Sequence, residues 1–271
     1  MTPIFIDSDN AIEARAGDVD DAFAVAALLL SRCPVAAIGA VAGNTGAREA
    51  MEGNREIARL CGFEGPLLRG KERAESGPSE AARWLAATTG RIRVAALGPL
   101  TNVADALLLD PTLAERIDEL VLVGGNRASL GRWPPFWPWE FNLWKDRAAA
   151  ATVFSSRAPL TIVTLDVAKR LMVSGRELDA LRGDVGEYLH DRSQRWLRRA
   201  RLLKLRDAFP IWDLVAAMLL VDRGSFMVER AAVRFTPRGH LEFGRGARHA
   251  EVVTSFDRDA LWERFAGIIE P

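Results

Sequence analysis

The sequence predicts an α/β fold with a mostly parallel central sheet flanked by helices. Three observations carry this. Short apolar runs alternate with longer helical segments over residues 1–165. Runs such as Ile4-Phe5-Ile6 and residues 160–165 (LTIVTL) are apolar throughout, as strands buried on both faces must be. The conspicuous polar residues fall just after these runs, where ligands bind in such sheets. A length of 271 residues suits one domain, residues 1–271, and 49% apolar residues can fill its core.

Ile4-Phe5-Ile6 reads as a buried strand followed by Asp7 and Asp9. After a loop containing Gly17, three aspartates, Asp18, Asp20 and Asp21, crowd the start of an apolar segment, residues 22–30, long enough for a helix. Residues 35–41 (VAAIGAV) read as a strand leading into Ala42-Gly43-Asn44-Thr45, and residues 47–60 as a helix. Pro66-Leu67-Leu68 is a short strand, residues 71–79 a polar loop and residues 79–88 a modest helix. Residues 93–97 (RVAAL) form a strand, which Gly98-Pro99 turns into a helix over 100–109. Residues 120–123 are a strand ending at Gly124-Gly125, 146–155 an alanine-rich helix, and 160–165 a strand ending at Asp166.

Beyond Ser174 the pattern changes. Residues 176–206, rich in Arg and Leu, read as helical, divisible into two helices. Arg192, Arg195, Arg198, Arg199 and Arg201 read as a solvated face, with a subunit or substrate contact as the alternative. Pro210 opens another helix (IWDLVAAMLLV), residues 232–243 form a hairpin turning at Pro237-Arg238-Gly239, 251–255 a last strand and 258–268 a last helix.

Zero formal net charge favours neither nucleic acid nor an anionic membrane as partner. No signal peptide and no membrane-spanning run is read, so the expectation is a cytoplasmic protein. Cys33 and Cys61, in apolar helical surroundings, read as buried free thiols. His190, His240 and His249 are scattered, without zinc spacing.

Asp7, Asp9, Asp18, Asp20 and Asp21 place five carboxylates within fifteen residues of a strand-to-helix turn. Helix capping explains one or two of them. Five repel one another unless a cation lies among them, so the reading is a hard-metal site built from carboxylate oxygens, with capping alone as the alternative.

These residues, with others further on, resemble the inosine-uridine nucleoside hydrolase family. Asp7-Ser8-Asp9 followed by Asp20-Asp21 is similar to its opening signature. Val41-Ala42-Gly43-Asn44, Gly98-Pro99-Leu100-Thr101-Asn102, Val123-Gly124-Gly125, Glu140-Phe141-Asn142 with Asp146, Leu165-Asp166-Val167 and Trp212-Asp213 resemble its later motifs, in order. The resemblance implies a Rossmann-like nucleoside hydrolase fold and hydrolysis of the N-glycosidic bond of ribonucleosides to ribose and free base. It implies a calcium ion (Ca2+) held by the side chains of Asp9, Asp21 and Asp213 and the backbone carbonyl of Thr101. It implies ribose contacts from Asp20, Asn44, Glu140 and Asn142, with Asp9 as general base, and a homodimer or homotetramer.

The sequence departs from the family pattern around the leaving base. The loop between Asp9 and Asp20 is longer than the family's usual Pro-Gly turn. No His-Gly motif occurs in residues 71–91, and Trp212 stands where many members have histidine. An asparagine expected before Glu140 is missing, and Asn126 is the candidate substitute. Trp133, Trp137, Trp139 and Trp144, half of the chain's eight tryptophans, read either as packing of a proline-rich loop or as a stacking wall for a flat base. With Trp212 they weakly favour purine ribosides. The alternative class is a non-catalytic calcium and nucleoside-binding protein. A phosphatase is disfavoured because no basic residue is placed to hold phosphate near the aspartates.

Overall fold

The computed structural model describes residues 1–14, 17–72, 75–127, 140–202 and 207–270. Strand β1 (Ile4–Ser8) is buried along its whole length, inside the parallel part of a nine-stranded sheet. On one side of β1 lie β2 (Val35–Ala40) and β3 (Leu67–Leu68), and on the other β4 (Ile92–Ala96), β5 (Ile117–Val123) and β6 (Leu160–Val163), all parallel. A separate antiparallel pair, β7 (Met172–Ser174) and β8 (Ala208–Pro210), lies outside this sheet. The main sheet is completed by β9 (Phe226–Phe235), β10 (Leu241–Phe243) and β11 (Arg248–Phe256). Strand β11 runs parallel to β6, whereas β9 is antiparallel to both β11 and β10.

The chain winds outward from β1 in one direction through β2 and β3, then restarts beside β1 at β4 and winds the other way. Such a reversal leaves a crevice beyond the carboxyl ends of β1 and β4, the usual ligand position in this architecture.

Alternation along β1 separates two apolar layers. Ile4 and Ile6 face a layer containing α1 (Asp20–Leu30) and, from later in the chain, α11 (Trp212–Val221) and α12 (Arg258–Ile269). Phe5 faces the layer of α3 (Glu80–Ala86), α4 (Thr101–Leu109) and α7 (Arg147–Ser155). Helices α1 and α11 are apolar on nearly every side and buried from their first turns, so the acidic residues at their amino ends are carried inside. Helix α2 (Ala47–Leu60) is amphipathic and packs Ile57 and Ala58 inward. The remaining helices are α5 (Leu113–Arg116), α6 (Phe141–Lys145), α8 (Leu165–Ala168), α9 (Gly175–Asp179) and α10 (Gly183–Leu202).

Several expectations shift. The helical stretch over 176–206 divides into α9 and α10 at Gly183, whose φ of 73° suits glycine best. Pro210 closes β8 instead of opening a helix, because the segment pairs with β7; α11 begins at Trp212. Strand β6 stops at Val163 and Asp166 lies in α8. Strand β9 starts at Phe226, before the expected hairpin, because it pairs with β11 down to Phe256. The turn to β10 falls where expected, with Gly239 at φ 86°. Cys33 is buried and Cys61 partly so, both free thiols.

Candidate active site

The carboxyl end of β1 delivers Asp7 and Asp9, at 0% and 1% exposure. Asp7 is tied downward: Asn102 of α4 donates from Nδ2 to its Oδ1 at 2.8 Å and to the Ala40 carbonyl at 3.0 Å, while Ser79 Oγ donates to Asn102 Oδ1 at 2.7 Å. Asp9 is held by backbone. The Asn44 N–H donates to its Oδ2 at 2.6 Å. A Cβ on Gly43 would lie 2.0 Å from Asp9 Oδ2, and one on Gly98 2.7 Å from its Oδ1, so only glycine at these two positions admits the carboxylate. This accounts for glycine in the Ala42-Gly43-Asn44 and Gly98-Pro99 turns.

Asp20 and Asp21 open α1, and Asp213 lies in the first turn of α11. Burial of both helices brings these amino ends together, so the Asp20 and Asp213 carboxyls interact directly. Ser8 Oγ donates to Asp21 Oδ1 at 2.7 Å. Asp18 enters the same group, and ligand oxygens of Asp18, Asp20 and Asp21 all lie within 4.8 Å of one another. Capping does not explain the cluster, since Val19 is the N-cap of α1 and no side chain caps it. Asp18 Oδ1, Asp20 Oδ1 and Asp21 Oδ2 are shielded from solvent and have no hydrogen-bond partner.

Burial and mutual repulsion push these carboxyls out of their usual range. Desolvation raises Asp7 and Asp9 to about 7, with Asp9 and Asp20 respectively adding repulsion. Asp18, Asp21 and Asp213 are raised well above the ordinary value, first by burial and then by their acidic neighbours. Lys145 is a nearby cation that opposes this at Asp9. The unpartnered buried carboxylate oxygens fit a hard cation, which would satisfy them and cancel the repulsion.

Other expected site residues reach the same crevice. Asn44 donates from Nδ2 to Asp18 Oδ2 at 2.6 Å. Thr101 heads α4 and its hydroxyl donates to Asp146 Oδ2 at 2.7 Å. Asn142 donates from Nδ2 to the Leu97 and Val123 carbonyls at 2.7 and 3.2 Å, bridging the ends of β4 and β5. Glu140 caps α6, accepting from the Asn142 and Leu143 N–H groups at 2.7 Å each, and burial raises its carboxyl to about 8. Asn126 is half-buried, with Oδ1 unpartnered. Trp212 is half-buried against the apolar core. Trp133, Trp137 and Trp139 lie outside the described residues, and Trp144 is exposed on α6.

A family model described as inosine-uridine preferring nucleoside hydrolase matches residues 4–263. The chain belongs to this family. Its curated relatives include a pyrimidine-specific ribonucleoside hydrolase, RihA, of Photobacterium profundum, 35% identical over 125 residues. A probable uridine nucleosidase 2 of Arabidopsis thaliana is 34% identical over 127 residues. These matches cover 45% and 46% of this chain, and 39% of each relative's length. Among solved structures, a plant nucleoside hydrolase superposes with a TM-score of 0.85 at 21% identity, covering 99% of this chain and 98% of that one. A purine-preferring ribonucleoside hydrolase from Gardnerella vaginalis gives the same TM-score and coverage at 19% identity. At these identities the superpositions establish the nucleoside hydrolase fold.

Some site residues were not legible beforehand. Asn54, fully buried on α2, accepts from Asn10 Nδ2 at 3.2 Å, lies 3.2 Å from Ser8 Oγ, and supports the loop from beneath; no local signal marks it. Asn102 was visible as the end of its turn motif, but its grip on Asp7 was not. The solvated-face reading holds for Arg192, which stays exposed while pairing with Glu13, and fails for Arg195 of α10, which is half-buried. Arg192 pairs with Glu13 at 2.8 Å, and Arg195 donates to the Ile12 carbonyl at 2.6 Å, because α10 packs over the loop after Asp9.

The raised carboxyls have a signed consequence for stability. Without a cation, Asp7 and Asp9 hold protons in the folded state that the unfolded chain releases near 3.8. Their stabilising contribution is full below that value and is lost as pH rises through about 7. In chelator, Tm is expected to fall between about pH 4 and pH 8, and saturating calcium should remove most of the fall. A flat chelated profile would contradict the crowding described.

Proposed function

We propose that the protein is a calcium-dependent N-ribohydrolase that cleaves ribonucleosides to ribose and free base. The observation that carries this is the set of buried, unpartnered carboxylate oxygens at the crevice between β1 and β4, in a chain of the nucleoside hydrolase family. Asp9, Asp21 and Asp213, with the Thr101 carbonyl, would hold the ion. When bound, calcium lowers the pKa of a water and anchors sugar hydroxyls.

The chain's own groups do the rest. Asp9, within reach of the attacking water, accepts its proton as general base. Water oxygen bonds to the anomeric carbon as the bond to the base nitrogen breaks. Both electrons of that bond leave with the base, which takes a proton from solvent. The surrounding carboxylates favour the positive charge that develops on the ribosyl ring. Asp20, Asn44, Glu140 and Asn142 orient the sugar diol, and Asn126, with its unpartnered Oδ1, is the proposed further substrate contact.

For the base, the proposed preference is purine, carried by Trp212 at the head of α11 beside Asp213. A second reading, pyrimidine, is favoured by the curated relatives' printed specificities. Base release from inosine, adenosine, guanosine, uridine and cytidine with calcium present decides between them. No release from any of the five, with calcium bound, would favour a binding protein instead. Trp212→Ala is expected to lower kcat/KM on the best purine substrate by about tenfold, ~1.4 kcal/mol of transition-state stabilisation. It should spare p-nitrophenyl riboside, whose leaving group needs no proton. Equal slowing of both would reduce Trp212 to shaping the pocket. No described helix is long and apolar enough to cross a membrane.

A further inference from the structure

We infer that Asp18, carried by the extended loop after Asp9, is an additional carboxylate ligand to the cation. This rests on the metal reading above and concerns a residue outside the Asp-x-Asp and Asp-Asp pairs.

The loop is built as a closed excursion. The Ala14 N–H donates to the Ala11 carbonyl at 2.9 Å, and the Gly17 N–H to the Ala14 carbonyl at 3.2 Å. Its ends touch: a Cβ on Gly17 would lie 2.0 Å from the Ala11 oxygen, so glycine is required where the loop returns. Helix α10 holds it from outside. Tyr188 OH donates to Glu13, Arg192 pairs with Glu13, Arg195 donates to the Ile12 carbonyl, and Trp196 Nε1 donates to the Gly17 carbonyl at 2.9 Å. The next residue after that last anchor is Asp18.

Asp18 therefore joins the cluster from a fixed point. Its ligand oxygen lies within 4.8 Å of those of Asp20 and Asp21. Two oxygens on opposite sides of one calcium, each at about 2.4 Å, are about 4.8 Å apart, so all three can share an ion. Asp18 has no competing helix-capping role, because Val19 is the N-cap. One oxygen accepts from Asn44 Nδ2, and the other is shielded and unpartnered. Asp20 and Asp21, at 5% and 0% exposure, each direct an unpartnered oxygen into the same group. Affinity in oxygen-ligand sites rises with the number of charged ligands, so this chain is expected to bind calcium more tightly with Asp18 than without it.

The test is calorimetric titration of the full-length chelated protein with calcium alone, for wild type, Asp18→Asn and Asp18→Ser. Asp18→Asn keeps the shape and an acceptor for Asn44, and Asp18→Ser is the second variant should the first fold poorly. The expected result is a calcium Kd raised about tenfold or more in each variant. Tm in chelator should rise in Asp18→Asn, because one repelling charge is gone; a purely structural role would lower it. A calcium Kd within twofold of wild type in a folded variant overturns the inference and leaves the other ligands standing. Wild type that binds no calcium overturns the metal reading itself, so the two failures are distinguishable.

Discussion

Asp21→Ala is expected to abolish calcium binding and to lower kcat/KM by about a thousandfold or more, ~4 kcal/mol of transition-state stabilisation. The size follows from the position. Asp21 has no exposed surface, one oxygen accepts from Ser8, and the other is aimed into the cluster without a partner. No neighbour can replace it, because each remaining carboxylate already faces its own repelling neighbours. A ligand at a hundred times its Kd stabilises the folded state by about 2.7 kcal/mol, and this increment should vanish in the variant. The metal-free variant should still fold, since removing a buried like charge offsets the lost packing. Calcium titration, Tm with and without calcium, and base release from the best nucleoside check the three statements together. Activity within tenfold of wild type, or a surviving calcium-dependent Tm shift, would remove Asp21 from the ion.

Ribonucleosides are expected to outpace their 2′-deoxy counterparts by about 10⁴ in kcat/KM. A buried polar site built for a hydroxyl is left with unpaired groups when the hydroxyl is missing, and those groups cannot turn to water. The crevice has this character. Asp20 is nearly fully buried with Oδ1 unpartnered, and Asn44, exposed at the rim, is pinned by Asp9 through its backbone and by Asp18 through its amide. Asn142 is fixed by two strand-end carbonyls, and Glu140 by the first turn of α6, so neither can swing to compensate. Rates on uridine and deoxyuridine, and on adenosine and deoxyadenosine, measure this directly. Equal rates within either pair would detach these four residues from the sugar.

By itself the sequence determined the parallel core strands and most helices, because apolar runs and 3.6-residue patterns are local and strong. It also marked which segments meet at the crevice: Asp7-Ser8-Asp9, Gly98-Pro99-Leu100-Thr101 and Glu140-Phe141-Asn142 are each contiguous, and each stops a strand or starts a helix. What only the tertiary structure decided are the meetings between distant segments. Asp213 joins Asp20 because α1 and α11 are apolar on nearly every side and bury against each other, which no local pattern records. Pro210 ends a strand because β7, far back in the chain, offers a partner. Arg195 is drawn partly out of solvent because the loop after Asp9 presents the Ile12 carbonyl to α10. Asp18 reads in sequence as one aspartate among five; only the folded loop and its anchors bring its carboxylate beside those of Asp20 and Asp21. Backbone propensity acts over a few residues, whereas these placements depend on which buried faces find each other once the layers close.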